Sequence, residues 1–266
     1  MINKNSIFFN NINSRKKSLL YWCLALSALT IFIIYMYDSV GQEASKLLES
    51  TESDGIKAFI GPDAQGGTPA GWLGFELYGI FLPICLAIIT IGYGAGAIGS
   101  EEESGTLELL LASPISRSKI LTEKVLALII IATIIPSINF VAVCLGSLLF
   151  NFKIAIFDVF LCSISLILFG IFFGCFALMM QTITKKRSLG ISLTAAYVGG
   201  AYFMYTLYSL LDWLEPMKFF SPFYYYDGNK ILQGAADPFH FTIMLVGIIF
   251  TCSITYISFS KRDTGI

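Results

Sequence analysis

The segment that decides the fold lies at residues 101–117 and reads EEESGTLELLLASPISR. It is the most charged and punctuated stretch between two long apolar runs of the chain. Because buried charges are costly in an apolar medium, this segment must leave the medium that surrounds the runs on either side. It therefore marks a polar connection between two membrane-spanning elements.

The residue pattern inside this segment predicts a short amphipathic helix. Ser100 and Glu103 have the spacing of a capping box, which marks a helix start. Proline lacks the amide proton that an interior turn needs, so Ser113-Pro114 ends the helix. The leucines that then share one helical face are Leu107, Leu110 and Leu111. An apolar face flanked by charges indicates a contact with another protein.

The composition is that of an integral membrane protein. The chain has 266 residues, of which 56% are hydrophobic and only 13% charged. Its mean hydropathy of +0.74 is too high for a soluble domain of this length. We expect an all-α fold that forms one transmembrane domain over residues 1–266, with the lipid bilayer around it and no nucleic-acid partner.

Six apolar segments are long enough to cross a bilayer, which takes roughly 20 residues. These segments are 18–37, 74–99, 120–150, 154–182, 189–211 and 239–259. A polar outer loop at 38–73 and an aromatic segment at 212–238, with a short helix or re-entrant segment, connect them on one side. The basic lead-in at 4–17 has interleaved apolar residues, which predicts an amphipathic interfacial helix; a disordered tail is the alternative.

The lysines and arginines predict the orientation. With the N-terminus inside, 12 of the 17 basic residues lie on the inner side, including Arg15, Lys124 and Arg187. The positive-inside rule then places both termini in the cytoplasm, as an even number of spans requires.

Several motifs have a structural interpretation. Residues 94–99 match G-x-G-x-x-G, but no βαβ unit surrounds them, so close packing of small residues between helices is favoured. Gly92 and Gly96, like Ala95 and Gly99, are four residues apart, and Gly170 and Gly174 repeat that spacing. The six cysteines contain no C-x-x-C pair and His240 is the only histidine, so no metal site is expected. A phosphate-binding loop is also missing, which argues against an enzyme.

The segment 99–117 resembles the signature of ABC type-2 exporter permeases, in which an acidic stretch, Gly-Thr, a leucine-rich turn and Ser-Pro-Ile-Ser-Arg join helices two and three. The six spans and the aromatic segment before helix six are similar too. The long outer loop departs from many short members.

The resemblance implies a dimer with a second permease copy or paralogue, and a separate ATPase subunit docked beneath each chain. ATP and Mg would then be bound by the ATPase, with no cofactor in this chain. The residues expected to couple to the ATPase lie in the loop 100–117: Glu101, Glu102, Glu103, Gly105, Thr106, Leu107, Glu108, Leu110, Leu111, Ser113, Pro114 and Arg117.

The resemblance also implies a transport route along helices two and five of the dimer. Residues expected to line or border it are Tyr93, Asn139, Tyr197, Tyr202 and Tyr205. Interhelical hydrogen bonding is the favoured interpretation of Asn139 taken by itself. The aromatic content suits an amphipathic or hydrophobic cargo such as a peptide, lipid or drug.

Three alternatives stay open at this point. A related permease could export a sulfur-containing compound for metalloenzyme maturation. A non-transporting membrane scaffold would have a similar helix count, but it has no need of an amphipathic coupling element. An ion-coupled transporter is disfavoured because the spans lack acidic residues at depth. We expect a plasma-membrane permease.

Overall fold

The computed structural model describes residues 6–41, 68–107, 115–208 and 210–261, with side chains from Ile12 onward except that of residue 212. Within these ranges all regular structure is helical. Most of the predicted outer loop, and the coupling residues Glu108, Leu110, Leu111, Ser113 and Pro114, lie outside the described residues.

The described chain forms nine α-helices. They are α1 Ser6–Met36, α2 Pro69–Leu73, α3 Phe81–Glu103, α4 Arg117–Leu149, α5 Ile156–Thr184, α6 Arg187–Leu207, α7 Pro222–Tyr226, α8 Gly228–Leu232 and α9 Pro238–Ser260. Wider π-helical turns follow α1 at Tyr37–Gly41 and α2 at Gly74–Tyr78, and a 3₁₀ helix covers Asp212–Phe220.

Five helical segments of the described chain are long and apolar enough to cross a membrane. They are Ile12–Gly41, Pro69–Glu103, Arg117–Leu149, Ile156–Thr184 and Pro238–Ser260, and they overlap five of the six predicted spans. The remaining prediction, 189–211, coincides with α6. This helix has the required length, but its glycine, serine, threonine and tyrosine residues make it less apolar than the other five.

Two helix boundaries differ from those predicted. The lead-in at 4–17 is not a separate helix, because α1 is continuous from Ser6 to Met36 and contains no proline or glycine that would break it. Likewise, Ser100 does not begin a helix: α3 runs through it to Glu103, and the Ser100 hydroxyl donates a hydrogen bond to the carbonyl of Gly96. Ser104 and Gly105 end α3 instead.

The central helix of the bundle is α5, which packs against α3, α4, α6 and α9. Small residues allow the closest approach, as a Cβ atom on Gly94 would overlap the carbonyl oxygen of Gly174. Gly92 and Gly96 are not part of that contact. A Cβ on Gly92 would meet nothing within 4 Å, and one on Gly96 would meet two arginine side chains.

Aromatic residues gather at the end of the bundle that holds Trp72 and Tyr226, here called the aromatic end. Trp72 Nε1 donates to the carbonyl of Ile33 at 3.0 Å, and the Tyr226 hydroxyl donates to the carbonyl of Tyr78 at 2.7 Å. Burial raises the pKa of the Tyr226 phenol well above its usual value, with charges at Cys162 and Asp227 adding to the shift. The phenol therefore stays protonated and keeps its donor role.

Candidate functional site

The opposite end of the bundle, where α3 and α5 end and α4 and α6 begin, is here called the basic end. Three consecutive glutamates, Glu101, Glu102 and Glu103, form the last turn of α3 there. The helix macrodipole disfavours negative charge at a C-terminus, so this position requires compensation from elsewhere. Each glutamate receives that compensation from a different helix.

Glu101 contacts α4. The Nζ atom of Lys124 lies 2.6 Å from Glu101 Oε1, and the lysine side chain is 2% exposed while the glutamate is 26% exposed. A lysine so deeply buried requires an opposite charge, because an unpaired charge is costly to bury. Within the described residues, Oε2 of Glu101 has no hydrogen-bond partner.

Glu102 and Glu103 contact α5 and α6. The side-chain amide of Gln181, which is fully buried, donates a hydrogen bond to Glu102 Oε2. Arg187 Nη1 donates to Glu103 Oε2 at 3.2 Å, and this pair is the more exposed one, at 33% and 55%. Solvent screening makes that pair weaker than the buried one. The glutamates therefore join the end of α3 to three other helices.

The turn after the glutamates is built by local hydrogen bonds. Gly105 has a φ of +68°, a backbone conformation that favours glycine. The amide of Thr106 donates to the carbonyl of Glu101 at 2.9 Å, as in a helix-ending turn. Leu107 is partly buried and packs against the core of its own chain. Arg117 begins α4, where the Ser116 hydroxyl accepts a hydrogen bond from the Lys119 amide at 3.4 Å.

Asn139 lies in a hydrogen-bond chain that crosses three elements of the bundle. Its Oδ1 accepts from the Tyr78 hydroxyl at 2.9 Å, and its Nδ2 donates to Thr30 Oγ1 at 2.6 Å. All three side chains are at most 1% exposed. This network confirms the interhelical hydrogen bonding predicted for Asn139 and places its side chain in the packed core.

The three tyrosines named on α6 share one aromatic cluster. Tyr202 and Tyr205 have ring centroids 5.3 Å and 6.4 Å from that of Phe223, and Tyr197 lies 4.9 Å from Phe176. The Tyr197 hydroxyl also donates to the carbonyl of Phe220 at 2.9 Å. Tyr93 is far from this cluster in the chain and borders a cavity between α1 and α3.

Sequence reasoning missed the residues that pair with the glutamates. Lys124 was a usable signal, because a lysine inside a predicted span must find a partner. Gln181 and Arg187 carried no comparable signal. No three histidine, cysteine or carboxylate side chains meet in the part of the chain that the structure describes, as a metal-ion site of that kind would require.

The sequence was compared with models of known protein families. The model of the ABC-2 family transporter protein matches residues 8–264, which is nearly the whole chain. The chain belongs to the ABC-2 transporter family. Among curated proteins, no sequence matches it.

Family membership gives the ABC-2 chain a general role. The family is a membrane component of ABC transporters and is not itself catalytic, which agrees with the absence of a phosphate-binding loop from the sequence. Membership also implies association with ABC ATPase subunits. Together with the apolar helices, it makes the chain a membrane protein.

Proposed function

We propose that this chain is the membrane-spanning permease subunit of an ATP-driven exporter in a plasma membrane. It would work as a dimer, with an identical chain or a paralogue, above two ATPase subunits that bind ATP and Mg. The observation that carries the proposal is the family match over residues 8–264. The geometry of the basic end adds a route by which an ATPase could act on the helices.

Helix α6 would supply the sixth span. Its 21 residues correspond to about 31 Å at 1.5 Å per residue, close to the thickness of a bilayer core. Only Lys185 and Lys186 separate it from α5, against which it packs, so it returns across the same layer. With six spans, the N-terminal end of α1 and the C-terminal end of α9 lie on the same side of the membrane. The positive-inside rule favours the cytoplasm for that side.

The glutamate cluster supports a role for residues 100–117 in coupling. A segment attached to α3 through Glu103 and to α4 through Arg117 moves with both helices. The contacts of Glu101, Glu102 and Glu103 extend that attachment to α5 and α6. Displacement of this segment by an ATPase would therefore reach four helices, rather than α3 alone.

The cargo we favour is an amphipathic or hydrophobic molecule. The aromatic side chains of α6 and of Phe223 offer large apolar contacts with polar hydroxyl ends, which suit such molecules. In a dimer, the exposed face of α6 that includes Phe203, at 66% exposure, would face the partner chain or the route. Tyr197, Tyr202 and Tyr205 stay candidates to border that route.

The test is co-purification of the full chain with an ABC ATPase subunit of the same organism that lacks membrane spans of its own. Leu107 packs against the core of its own chain, so its substitution would confuse docking with folding. We therefore choose Leu110→Asp, which puts a charge on the predicted apolar face. Burial of an unpaired charge should cost several kcal/mol of docking energy, so the ATPase should be lost from this variant.

Ser188→Asp is the matched control, because it adds the same charge at an exposed position of the basic end outside the coupling segment. ATPase retained by the wild type and by Ser188→Asp, but lost from Leu110→Asp, supports coupling through this segment. If all three forms retain the ATPase, docking occurs elsewhere. If the wild type binds none, the exporter proposal fails and a membrane scaffold becomes the better interpretation.

A further inference from the structure

A cavity of about 190 Å³ lies between α1 and α3 near the basic end. Arg15 and Trp22 of α1 and Gly92 and Tyr93 of α3 line it, together with Ile131 of α4. Ile88 also lines the cavity and its side chain is 59% exposed, so the cavity reaches the outer surface of the bundle there. Its walls thus combine a cation with apolar and aromatic surface.

The charge of Arg15 is not neutralised by the described part of the chain. Arg15 forms neither an ion pair nor a hydrogen bond with any described residue. Its guanidinium is half-buried and lies beside Gly96, where a Cβ atom would be 3.6 Å from Arg15 Nη2 and 3.6 Å from Arg187 Nε. A half-buried arginine without a counter-charge favours an anionic ligand.

The hydroxyl of Tyr93 is a second, independent observation. Tyr93 is 4% exposed, and its hydroxyl is buried without a hydrogen-bond partner among the described residues. The charges of Arg15 and Glu101 both act on this hydroxyl. Glu101 already forms an ion pair with Lys124, whereas Arg15 does not have such a partner among the described residues. Buried hydroxyls normally have a partner, so this phenol, which belongs to a residue of the cavity wall, has an unused donor.

The floor of the cavity is open at Gly92, where a Cβ atom would meet nothing within 4 Å. A cavity can hold one water molecule with roughly 10–15 Å³ of such volume, so about 190 Å³ admits a group of several atoms. It is sufficient for a phosphate and its nearest atoms but not for a whole phospholipid. The rest of such a molecule would extend across the exposed apolar side chains near Ile88.

We propose that this cavity is a binding site for the phosphate headgroup of an anionic phospholipid from the membrane leaflet at the basic end. The guanidinium of Arg15 and the phenol of Tyr93 would donate to the phosphate oxygens. Trp22 and Ile88 would contact the first part of the acyl chains. The site requires neither an ATPase nor a transported cargo, so it stands independently of the proposed function.

The test measures lipid retained by the purified full chain in a neutral detergent, using native mass spectrometry. The probes are phosphatidylglycerol, phosphatidylcholine and inorganic phosphate. We expect one retained phosphatidylglycerol per chain and much less phosphatidylcholine. In Arg15→Gln, phosphatidylglycerol should bind about tenfold more weakly, since one hydrogen bond between charged groups contributes about that factor.

Two matched pairs separate a site from general charge attraction. Lys16→Gln removes the same charge from the exposed neighbour of Arg15, and it should leave binding unchanged. Gly92→Leu should fill the cavity and abolish binding. Gly199→Leu is the control and should leave lipid binding unchanged, because a Cβ at Gly199 would also meet nothing within 4 Å.

Tyr93→Phe removes one oxygen that has no partner in the described chain, so it should weaken binding severalfold while the unfolding temperature stays unchanged. Equal losses in Arg15→Gln and Lys16→Gln would overturn the proposal, as would wild-type binding by Tyr93→Phe or by Gly92→Leu. Full displacement of phosphatidylglycerol by millimolar inorganic phosphate would overturn the lipid assignment and leave a site for the free anion.

Discussion

The Nζ atom of Lys124 lies 2.6 Å from Oε1 of Glu101, and this pair joins the last turn of α3 to the second turn of α4. The lysine is 2% exposed, so its charge depends on a single described carboxylate. The two residues bracket the segment 102–123, which contains all but the first two residues of the proposed coupling segment 100–117. An ion pair at this place holds both ends of that segment together.

Lys124→Met should destabilise the chain by about 3 kcal/mol, because it leaves Glu101 partly buried without its partner. Thermal unfolding in detergent would measure the loss. Lys119→Met, which removes an exposed lysine from the first turn of α4, is the control and should have little effect. The double variant Lys124→Met with Glu101→Gln should recover much of the stability, and losses that simply add would contradict the pairing.

Tyr78→Phe should cost about 1 kcal/mol, since the hydrogen bond from its hydroxyl to Asn139 is lost inside the membrane, where such bonds contribute roughly 0.6 to 1.7 kcal/mol. Tyr93→Phe is the matched control, because Tyr93 lies in the same helical segment, Pro69–Glu103. It should not change the stability, because the Tyr93 hydroxyl has no partner in the described chain. The measurement is the unfolding temperature of both variants. Equal unfolding temperatures for the two variants would contradict the hydrogen bond between Tyr78 and Asn139.

Gly94→Ala should destabilise the chain by about 2 kcal/mol or more, because the added methyl group would overlap the carbonyl oxygen of Gly174 and force α3 away from α5. Gly199→Ala adds the same group to α6, where nothing lies within 4 Å, and should be neutral or slightly stabilising. Unfolding temperatures in detergent distinguish the two. A neutral Gly94→Ala would mean that the two helices are further apart.

Oxidation with iodine in isolated membranes should form a disulfide between Cys175 of α5 and Cys252 of α9, whose sulfur atoms are 3.5 Å apart. Mass spectrometry of the digested chain would detect the cross-linked peptides. In a Cys252→Ser chain, the product should disappear. If the wild-type chain yields no cross-link between these residues, α9 does not pack on α5 at this height.

The predicted capping box beside the coupling segment shows a limit of local sequence patterns. Ser100 and Glu103 have the spacing of a capping box, yet both lie inside α3. The preceding apolar helix simply continues, because nothing breaks it before Gly105, and a helix that already exists costs little to extend by one turn. A capping motif is informative only where a helix has room to begin.

The glycine pattern correctly predicted that small residues allow close packing between helices, but it did not predict which glycines make the contact. Small residues at Gly94 and Gly174 do bring two helices together. Gly92 and Gly96, with the same spacing, face a cavity and two arginines instead. Spacing defines a face of a helix, whereas the neighbour that covers this face depends on how the whole bundle packs.

The sequence by itself determined that the chain is a helical membrane protein, where its apolar segments lie, and the ABC-2 signature between the second and third of them. The first two properties follow from the free energy of transfer of each segment, which depends on local composition alone, and the signature is read from the order of residues 99–117. Only the tertiary structure decided that Glu101 pairs with Lys124, that Glu102 and Glu103 meet Gln181 and Arg187, and that Arg15 and Tyr93 border one cavity. Such contacts join residues up to 84 positions apart, and the packing of the helices brings them within reach.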